Sequence, residues 1–204
     1  MQAFYLIVDN SNDLKELLPL GVKLVQLRIK TTDMSFIKKE ILKAKDICFK
    51  YNCQLIINDY WQQAVEAGIE YVHLGQEDIA ACDIEKLAQT NLKIGVSTHT
   101  IEELNIALNL RNILNINYIA LGPIYPTKLK KMNFAPQGLE NIAKWKRLIG
   151  NCNLPLVAIG GLTPERAKLC LEAGADSTAV VTDISMCMNP KKRTIEWIKK
   201  IQNS

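Results

Sequence analysis

Residues 22–57 contain the pattern that decides the fold: an apolar run, VKLVQL (Val22–Leu27), then MSFIKKEILKAKDICFKY (Met34–Tyr51), then a second apolar run, QLII (Gln54–Ile57). Both runs are almost continuously apolar, which is typical of strands that are buried on both faces of a parallel sheet. The longer stretch has helical spacing, so that its apolar residues lie on one side. These residues are Phe36, Ile37, Ile41, Ala44, Ile47 and Cys48. The unit therefore predicts strand, helix and strand, with the helix covering a parallel sheet.

The same alternation continues along the chain and predicts eight strands in total. The six further runs are Phe4–Val8, Glu70–Leu74, Lys93–Val96, Tyr118–Leu121, Leu156–Ile159 and Thr178–Val181. Eight strand–helix repeats fit either an open doubly wound sheet or a closed barrel. A doubly wound nucleotide-binding fold usually has Gly-x-Gly-x-x-Gly after its first strand, whereas this chain has Asp9-Asn10-Ser11-Asn12. We therefore predict an α/β fold, a (β/α)8 TIM barrel with a parallel closed sheet, in one domain of residues 1–204.

Local signals predict where several helices begin and end. Residues that favour a helix start precede three of the helical stretches, and a glycine follows two stretches, one of which is the stretch that begins at Pro164. The predicted starts are Thr32 or Asp33, Thr100 in a capping box with Glu103, and Pro164 after Thr163; the predicted C-terminal glycines are Gly68 and Gly174.

Composition and charge exclude several classes of protein. The 204 residues are 48% hydrophobic and 23% charged, as in an ordinary globular protein, and a scattered net charge of +4 gives no indication of a nucleic-acid partner. The first apolar stretch ends at Asp9, too early for a signal peptide or a membrane span, so we expect a cytoplasmic protein without a membrane partner. Six cysteines without a Cys-x-x-Cys pair, beside two histidines, are interpreted as reduced thiols and not as a zinc site.

Polar residues follow seven of the eight predicted strands, where a barrel carries its chemistry. Asp59 and Asp78 follow adjacent strands, and two carboxylates with room for water and phosphate oxygens are a usual setting for Mg2+. Each aspartate could instead cap the helix after it, but a pair on neighbouring strands favours a metal. Arg28, Lys30 and Lys130 would add positive charge at the same end of the barrel. This combination suits a pyrophosphate.

A second anion site is predicted after the seventh and eighth strands. The turn Gly160-Gly161 precedes a helix, so its backbone N–H groups are accessible to a phosphate, and Thr182 follows the next strand. A pair of glycines also occurs in a simple tight turn, which is the alternative. Two phosphate sites would imply two phosphorylated small-molecule substrates.

Seven segments, in order and spacing, resemble the thiamine phosphate synthase family over nearly the whole chain. The Gly-Gln-Glu-Asp and Gly-Pro-Ile-Tyr-Pro-Thr segments are specific as a set, whereas Gly-Gly and Ala-Gly-Ala-Asp occur in many phosphate-binding barrels. The segments are Val25–Lys30, Asn58-Asp59, Val72–Asp78, Gly95–Thr100, Leu121–Thr127, Ala158–Gly161 and Ala173–Asp176.

The resemblance implies a reaction and a role for each matching residue. A pyrimidine methyl pyrophosphate would lose pyrophosphate, and the nitrogen of a thiazole phosphate would capture the carbocation to form thiamine phosphate. Asp59 and Asp78 match the Mg2+ ligands. The positions that hold the pyrimidine pyrophosphate in the family match Gln26, Arg28, Lys30, Asn58, Ser97 and Lys130. Four of these residues would act in catalysis: Arg28, Lys30, Ser97 and Lys130. The positions around the thiazole phosphate match Thr127, Gly161, Val181 and Thr182, and Leu129 belongs to the same loop as Thr127.

Three departures from the family pattern keep alternatives open. Leu129 replaces a hydroxyl residue of the phosphate loop, Ile29 replaces a common acidic residue, and Ser177-Thr178 replace a small apolar pair. The related thiazole tautomerases have a histidine where this chain has Pro123, which argues against that activity. Leu129 leaves open a barrel that only binds thiamine precursors, although a pure binder would have little use for two aspartates. A homo-oligomer is possible and is not decided by the sequence.

Overall fold

The computed structural model describes residues 1–127 and 135–202, in which eight parallel strands form one closed barrel. The strands follow one another around the barrel in chain order, and β1 pairs with both β2 and β8. The predicted (β/α)8 barrel is confirmed, and each predicted strand lies within two residues of the observed one. The strands are β1 (Phe4–Val8), β2 (Leu24–Leu27), β3 (Gln54–Asn58), β4 (Tyr71–Leu74), β5 (Lys93–Thr98), β6 (Ile116–Leu121), β7 (Leu156–Ile159) and β8 (Ser177–Val180).

Helices connect the strands and form the outer layer of the barrel. They are α1 (Ser11–Leu17), α2 (Met34–Lys50), α3 (Trp61–Glu66), α4 (Gln76–Ala81), α5 (Ile84–Ala88), α6 (Ile101–Leu110), α7 (Gly138–Ile149), α8 (Pro164–Glu172), α9 (Thr182–Ser185) and α10 (Pro190–Gln202), with 3-10 turns at Leu18–Leu20 and Gly150–Cys152. None of the helices in the described ranges is long and apolar enough to cross a membrane.

The helix starts agree with the predicted caps, with one difference. The Asp33 carboxylate accepts the first-turn N–H groups of α2, and α8 begins at Pro164. At α6 the Thr100 hydroxyl accepts the Glu103 N–H, as predicted. The return bond of the capping box differs, because the Glu103 carboxylate accepts the N–H of His99, at 2.6 Å. His99 lies one residue before the cap residue Thr100, so the Glu103 carboxylate bonds to the β5–α6 loop and not to the cap residue itself.

Strand alternation divides the core into an interior and an outer layer. Odd residues of β1, such as Tyr5 and Ile7, point into the barrel, whereas Phe4 and Leu6 face the helices. The Phe4 ring stacks on buried Trp197 of α10, with centroids 5.7 Å apart. The last helix is therefore held against the outside of β1. The interior cluster consists of Tyr5, Ile7, Leu24, Ile56, Tyr118, Ala120, Val157 and Ala179.

The predicted apolar side of α2 is wrong at Phe36. This ring is 45% exposed, whereas Glu40 is only 4% exposed. The Glu40 carboxylate accepts the Ser11 N–H at the start of α1 (2.8 Å) and pairs with Lys43 (2.8 Å). The first N–H groups of a helix have no partner within the helix, so a buried carboxylate is stabilised there. Packing between α1 and α2 therefore overrides the apolar pattern.

Candidate active site

The carboxyl ends of all eight strands lie at one end of the barrel, which we call the mouth, because the strands are parallel. Gln26, Asn58 and Ser97 lie near the ends of β2, β3 and β5, and Asp59 follows β3 directly. Asp78 lies in the first turn of α4, just after β4. The predicted pyrophosphate-binding and metal-binding residues of the described chain are therefore at the mouth. Lys130 and Leu129 lie outside the described residues.

Asp59 and Asp78 bring their carboxyl groups together. Burial, followed by the charge of Asp78 and a hydrogen bond with it, raises the pKa of Asp59 to about 6. The Arg28 guanidinium and a hydrogen bond from Asn58 act in the opposite direction. Two carboxylates in contact repel each other, and a cation between them would remove that repulsion. The pair is therefore a costly arrangement unless positive charge binds to it.

The alternative role in helix capping applies to one aspartate and not to the other. Asp78 accepts the Gly75 N–H through Oδ2 at 3.1 Å and so takes part in the cap of α4. Asp59 makes no such contribution, because α3 begins after Tyr60 without a side-chain cap. Its backbone is in the left-handed region (φ 66°), and its N–H donates to the His73 carbonyl at 2.9 Å. Capping therefore leaves the position of the Asp59 carboxylate unexplained.

The donor set at this pair fits a hard divalent cation. Carboxylate oxygens are what Mg2+ prefers, and it commonly binds one or two protein carboxylates together with water and phosphate oxygens. Within residues 1–127 and 135–202 there is no group of three or more His, Cys, Asp or Glu side chains suited to a metal. The protein would thus supply two ligands from Asp59 and Asp78 and leave the remaining positions to other oxygens.

Positive charge lies next to the carboxylate pair. Arg28 follows β2, and its backbone N–H donates to the Val8 carbonyl at 2.7 Å, so the residue is held by the sheet. Its charge acts on both Asp59 and His73. Lys30 lies two residues further on and is exposed. Among the described residues, the site therefore combines the Asp59 and Asp78 carboxyl groups with the Arg28 guanidinium and the exposed Lys30.

A chain of five hydrogen-bonded side chains crosses the interior of the barrel just below the mouth. The Gln26 amide donates to the Tyr5 hydroxyl (2.7 Å), and the Tyr5 and Tyr118 hydroxyls are 2.9 Å apart. Tyr118 then contacts His73 Nδ1 (2.8 Å), and His73 Nε2 contacts the Ser97 hydroxyl (2.8 Å). Burial, and then the charge of Arg28, lower the pKa of His73 to about 4, so the imidazole is neutral at pH 7.

Sequence reasoning placed Gln26 and Ser97 at the site but missed the three residues between them. Tyr5 and Tyr118 lie in apolar runs that predict buried strands, and His73 lies within one of the segments that resemble the family. The feature that could have indicated them is a phenol or imidazole at an inward-facing strand position. Such a buried polar group requires a hydrogen-bond partner inside the barrel. That signal becomes visible only when the facing strands are known.

The two glycines after β7 are required by the packing of neighbouring loops. Gly160 and Gly161 have φ values of 101° and 64°. A Cβ atom on Gly160 would lie 2.6 Å from Pro123, and one on Gly161 would lie 2.5 Å from the Pro126 carbonyl oxygen. The alternative of a tight turn is therefore sufficient to explain both glycines. Their role toward a phosphate, and that of nearby Thr127, stay predictions.

The turn after β8 is anchored by the last helix. Val181 is the N-cap residue of α9, which begins at Thr182. The next residue, Asp183, accepts two hydrogen bonds from Arg193 (2.7 and 3.0 Å) and one from Trp197 Nε1 (2.7 Å). The planar guanidinium and the carboxylate thus form a bidentate pair. This pair fixes the backbone directly after the two residues that were predicted to contact the thiazole phosphate.

Comparison with known proteins gives consistent results. The profile of the family described as thiamine monophosphate synthase matches residues 4–184. A thiamine-phosphate synthase from Rhizobium etli is 50% identical over 198 residues, covering 97% of this chain and 94% of that protein. One from Yersinia pestis is 39% identical over 200 residues, covering 98% and 90%. A solved structure, thiamine phosphate pyrophosphorylase from Pyrococcus furiosus, superposes with a TM-score of 0.83 at 26% identity, covering 98% and 96%.

Proposed function

This chain belongs to the thiamine monophosphate synthase family and is a transferase, and we propose that it makes thiamine phosphate by ionising a pyrimidine pyrophosphate. The observation that carries the proposal is the contact between the Asp59 and Asp78 carboxyl groups beside Arg28 at the mouth. The substrates would be hydroxymethylpyrimidine pyrophosphate and thiazole phosphate, and the products thiamine phosphate and pyrophosphate.

The proposed chemistry consists of one bond cleavage and one bond formation. The bond between the pyrimidine methylene carbon and the pyrophosphate oxygen breaks, and its electron pair leaves with pyrophosphate. The thiazole nitrogen then donates its lone pair to the resulting carbocation. Neither step needs a nucleophilic side chain or a general base, whereas the developing negative charge needs fixed positive charge and hydrogen-bond donors.

Residues of this chain would stabilise the departing pyrophosphate. The Arg28 backbone is held by the sheet, and its charge already acts on Asp59, so positive charge lies beside the site before ionisation. Lys30 and Lys130 would add charge, and Gln26, Asn58 and Ser97 would add hydrogen bonds. Mg2+, held by Asp59 and Asp78, would supply further neutralisation of the pyrophosphate oxygens when bound.

The thiazole phosphate would bind on the other side of the mouth. We assign it to the loops after β6, β7 and β8, where barrels of this kind commonly bind phosphate. Backbone N–H groups near Gly161 and Val181 and the hydroxyls of Thr127 and Thr182 are suitable donors. The same proposal places the whole activity in one domain of residues 1–204 acting on small molecules in the cytoplasm, where its six free cysteines would stay reduced.

The test is a reconstitution with purified protein, Mg2+ and both substrates. We expect release of pyrophosphate together with thiamine phosphate, and no product when either substrate is left out. Asp59→Ala or Asp78→Ala should lower the rate by several orders of magnitude, while Asp83→Ala, at the exposed cap of α5, serves as a matched control with unchanged rate. Failure of the wild-type protein to form thiamine phosphate from both substrates would contradict the proposed function.

A further inference from the structure

We propose that the hydrogen-bond chain inside the barrel holds His73 as its Nε2–H tautomer and thereby makes Ser97 a hydrogen-bond donor toward the substrate. In this arrangement Tyr118 and His73 are positioning residues, because they act on the substrate only through the Ser97 hydroxyl. The proposal deepens the proposed function and rests on it for the identity of the acceptor, a pyrophosphate oxygen.

The chain is closed off from solvent over most of its length. Tyr5, Tyr118 and Gln26 are almost fully buried, His73 is 8% exposed, and only Ser97 opens toward the mouth. In such surroundings each hydroxyl hydrogen has few possible acceptors, and an unsatisfied group would cost about 1–3 kcal/mol. The hydrogen-bond partners seen in the structure are therefore the ones that decide where each hydrogen points.

The direction of the chain follows from counting hydrogens. The Gln26 amide nitrogen has no lone pair to offer, so it donates to the Tyr5 oxygen. If the Tyr118 hydrogen pointed to Tyr5, the buried Tyr5 hydrogen would have no acceptor among the contacts of this hydroxyl, so the Tyr5 hydrogen points to Tyr118. The single Tyr118 hydrogen then points to His73 Nδ1. A neutral imidazole with an accepting Nδ1 carries its hydrogen on Nε2.

The last link determines what Ser97 can do. Since His73 Nε2–H donates to the Ser97 oxygen, the Ser97 hydrogen is not used within the chain. It is available to an acceptor bound at the mouth. In the reverse direction Ser97 would have to donate its only hydrogen to His73, and it could then offer only lone pairs. A pyrophosphate has no hydrogen to donate near neutral pH. In the reverse direction the Ser97 oxygen and a pyrophosphate oxygen would therefore face each other as two acceptors without a hydrogen between them.

The backbone is shaped around the central tyrosine of the chain. A Cβ atom on Gly95 would lie 2.0 Å from Cζ of Tyr118, so only glycine leaves room for this ring. The pairing of β5 with β6 also shifts register between Ile94 and Gly95. The Tyr118 ring also stacks on the His73 imidazole, with ring centroids 5.6 Å apart and an interplanar angle of 18°. Irregular strand pairing that redirects a side chain is a recurrent feature beside active sites.

The first experiment determines the tautomer of His73 directly, without substrate. Protein with 15N-labelled histidine is measured by long-range 1H–15N NMR, which distinguishes a protonated from an unprotonated ring nitrogen. The chain has two histidines, so a His99→Gln variant assigns the remaining signals to His73. We expect one neutral form with hydrogen on Nε2. Hydrogen on Nδ1, or an even mixture of tautomers, would overturn the proposal.

The second experiment breaks the chain at defined links. Tyr118→Phe removes the donor to Nδ1 and should produce mixed tautomers and a kcat about tenfold lower, with KM changed less than twofold. Tyr5→Phe leaves the Tyr118 hydroxyl free to donate to His73, so the tautomer should persist and kcat should fall less. Tyr71→Phe is the matched control, because its hydroxyl contacts Lys93 at the opposite end of the barrel, and it should change neither quantity.

The results separate this proposal from the proposed function. An unchanged tautomer and kcat in Tyr118→Phe would overturn the hydrogen-bond chain even in an active synthase. A wild-type protein that forms no thiamine phosphate but shows the Nε2–H tautomer, lost in Tyr118→Phe, would contradict the proposed function and support the direction of the chain.

Discussion

Asp59→Asn is expected to make the metal-free protein more stable while it abolishes the proposed activity. The substitution removes one of two carboxylates in contact and retains the shape of the side chain. Asparagine also tolerates the left-handed backbone at this position (φ 66°) better than most residues. The protein should therefore lose a repulsion without gaining backbone strain.

The magnitude follows from the pKa of Asp59, which burial and Asp78 raise from 3.8 to about 6. A difference of this size corresponds to about 3 kcal/mol between the two protonation states. Because the side chain is partly exposed, solvent screening reduces the expected gain to about 1–2 kcal/mol. For a chain of this length the gain corresponds to a Tm about 2–8 °C higher.

The pH dependence of this gain has a defined sign. A carboxyl whose pKa is raised on folding holds its proton more tightly in the folded state, so the protein loses stability as the pH rises from about 4 to about 6. The advantage of Asp59→Asn should therefore be largest above pH 6 and should shrink toward pH 4.

The assay is thermal or urea unfolding in EDTA at pH 8 and pH 4.5, with wild type, Asp59→Asn and Asp83→Asn. Asp83 is exposed and bonded to Lys86, which lowers its pKa, so Asp83→Asn should give no gain. A lower Tm for Asp59→Asn at pH 8, or a gain of equal size at both pH values, would refute the reasoning.

Three further substitutions test the framework of the site. Gly95→Ala would place a methyl group against the Tyr118 ring and should cost about 1–3 kcal/mol in urea unfolding, together with a lower kcat. Asp33→Ala removes the cap of α2 and should cost about 1 kcal/mol with unchanged kcat, so any loss of activity would contradict its purely structural role. Arg193→Ala leaves Asp183 without its bidentate partner, and calorimetry should show a loss of about 1–3 kcal/mol in the free energy of unfolding. Kinetic measurements should show a raised KM for the thiazole phosphate and little change in KM for the pyrimidine substrate.

The architecture was predictable because its signals are local. Apolar runs buried on both faces, helical spacing between them and residues such as Asp33 and Pro164 at helix starts are each read within a short window. The strand ends then place polar residues at one end of a parallel barrel, which is how Asp59 and Asp78 could be paired without a structure. Packing between elements is not local, and so Phe36 was assigned to the core while the buried Glu40 was missed.

The interior hydrogen-bond chain could not be derived in this way. Tyr5 and Tyr118 are 113 positions apart and meet because closure of the barrel brings β1 and β6 across its interior. Alternation along a strand indicates that a side chain is buried, but not which residue faces it from the opposite wall. The composition of the mouth therefore follows from short stretches of sequence, whereas the partner of each buried polar group depends on how the closed sheet sets all eight strands against one another.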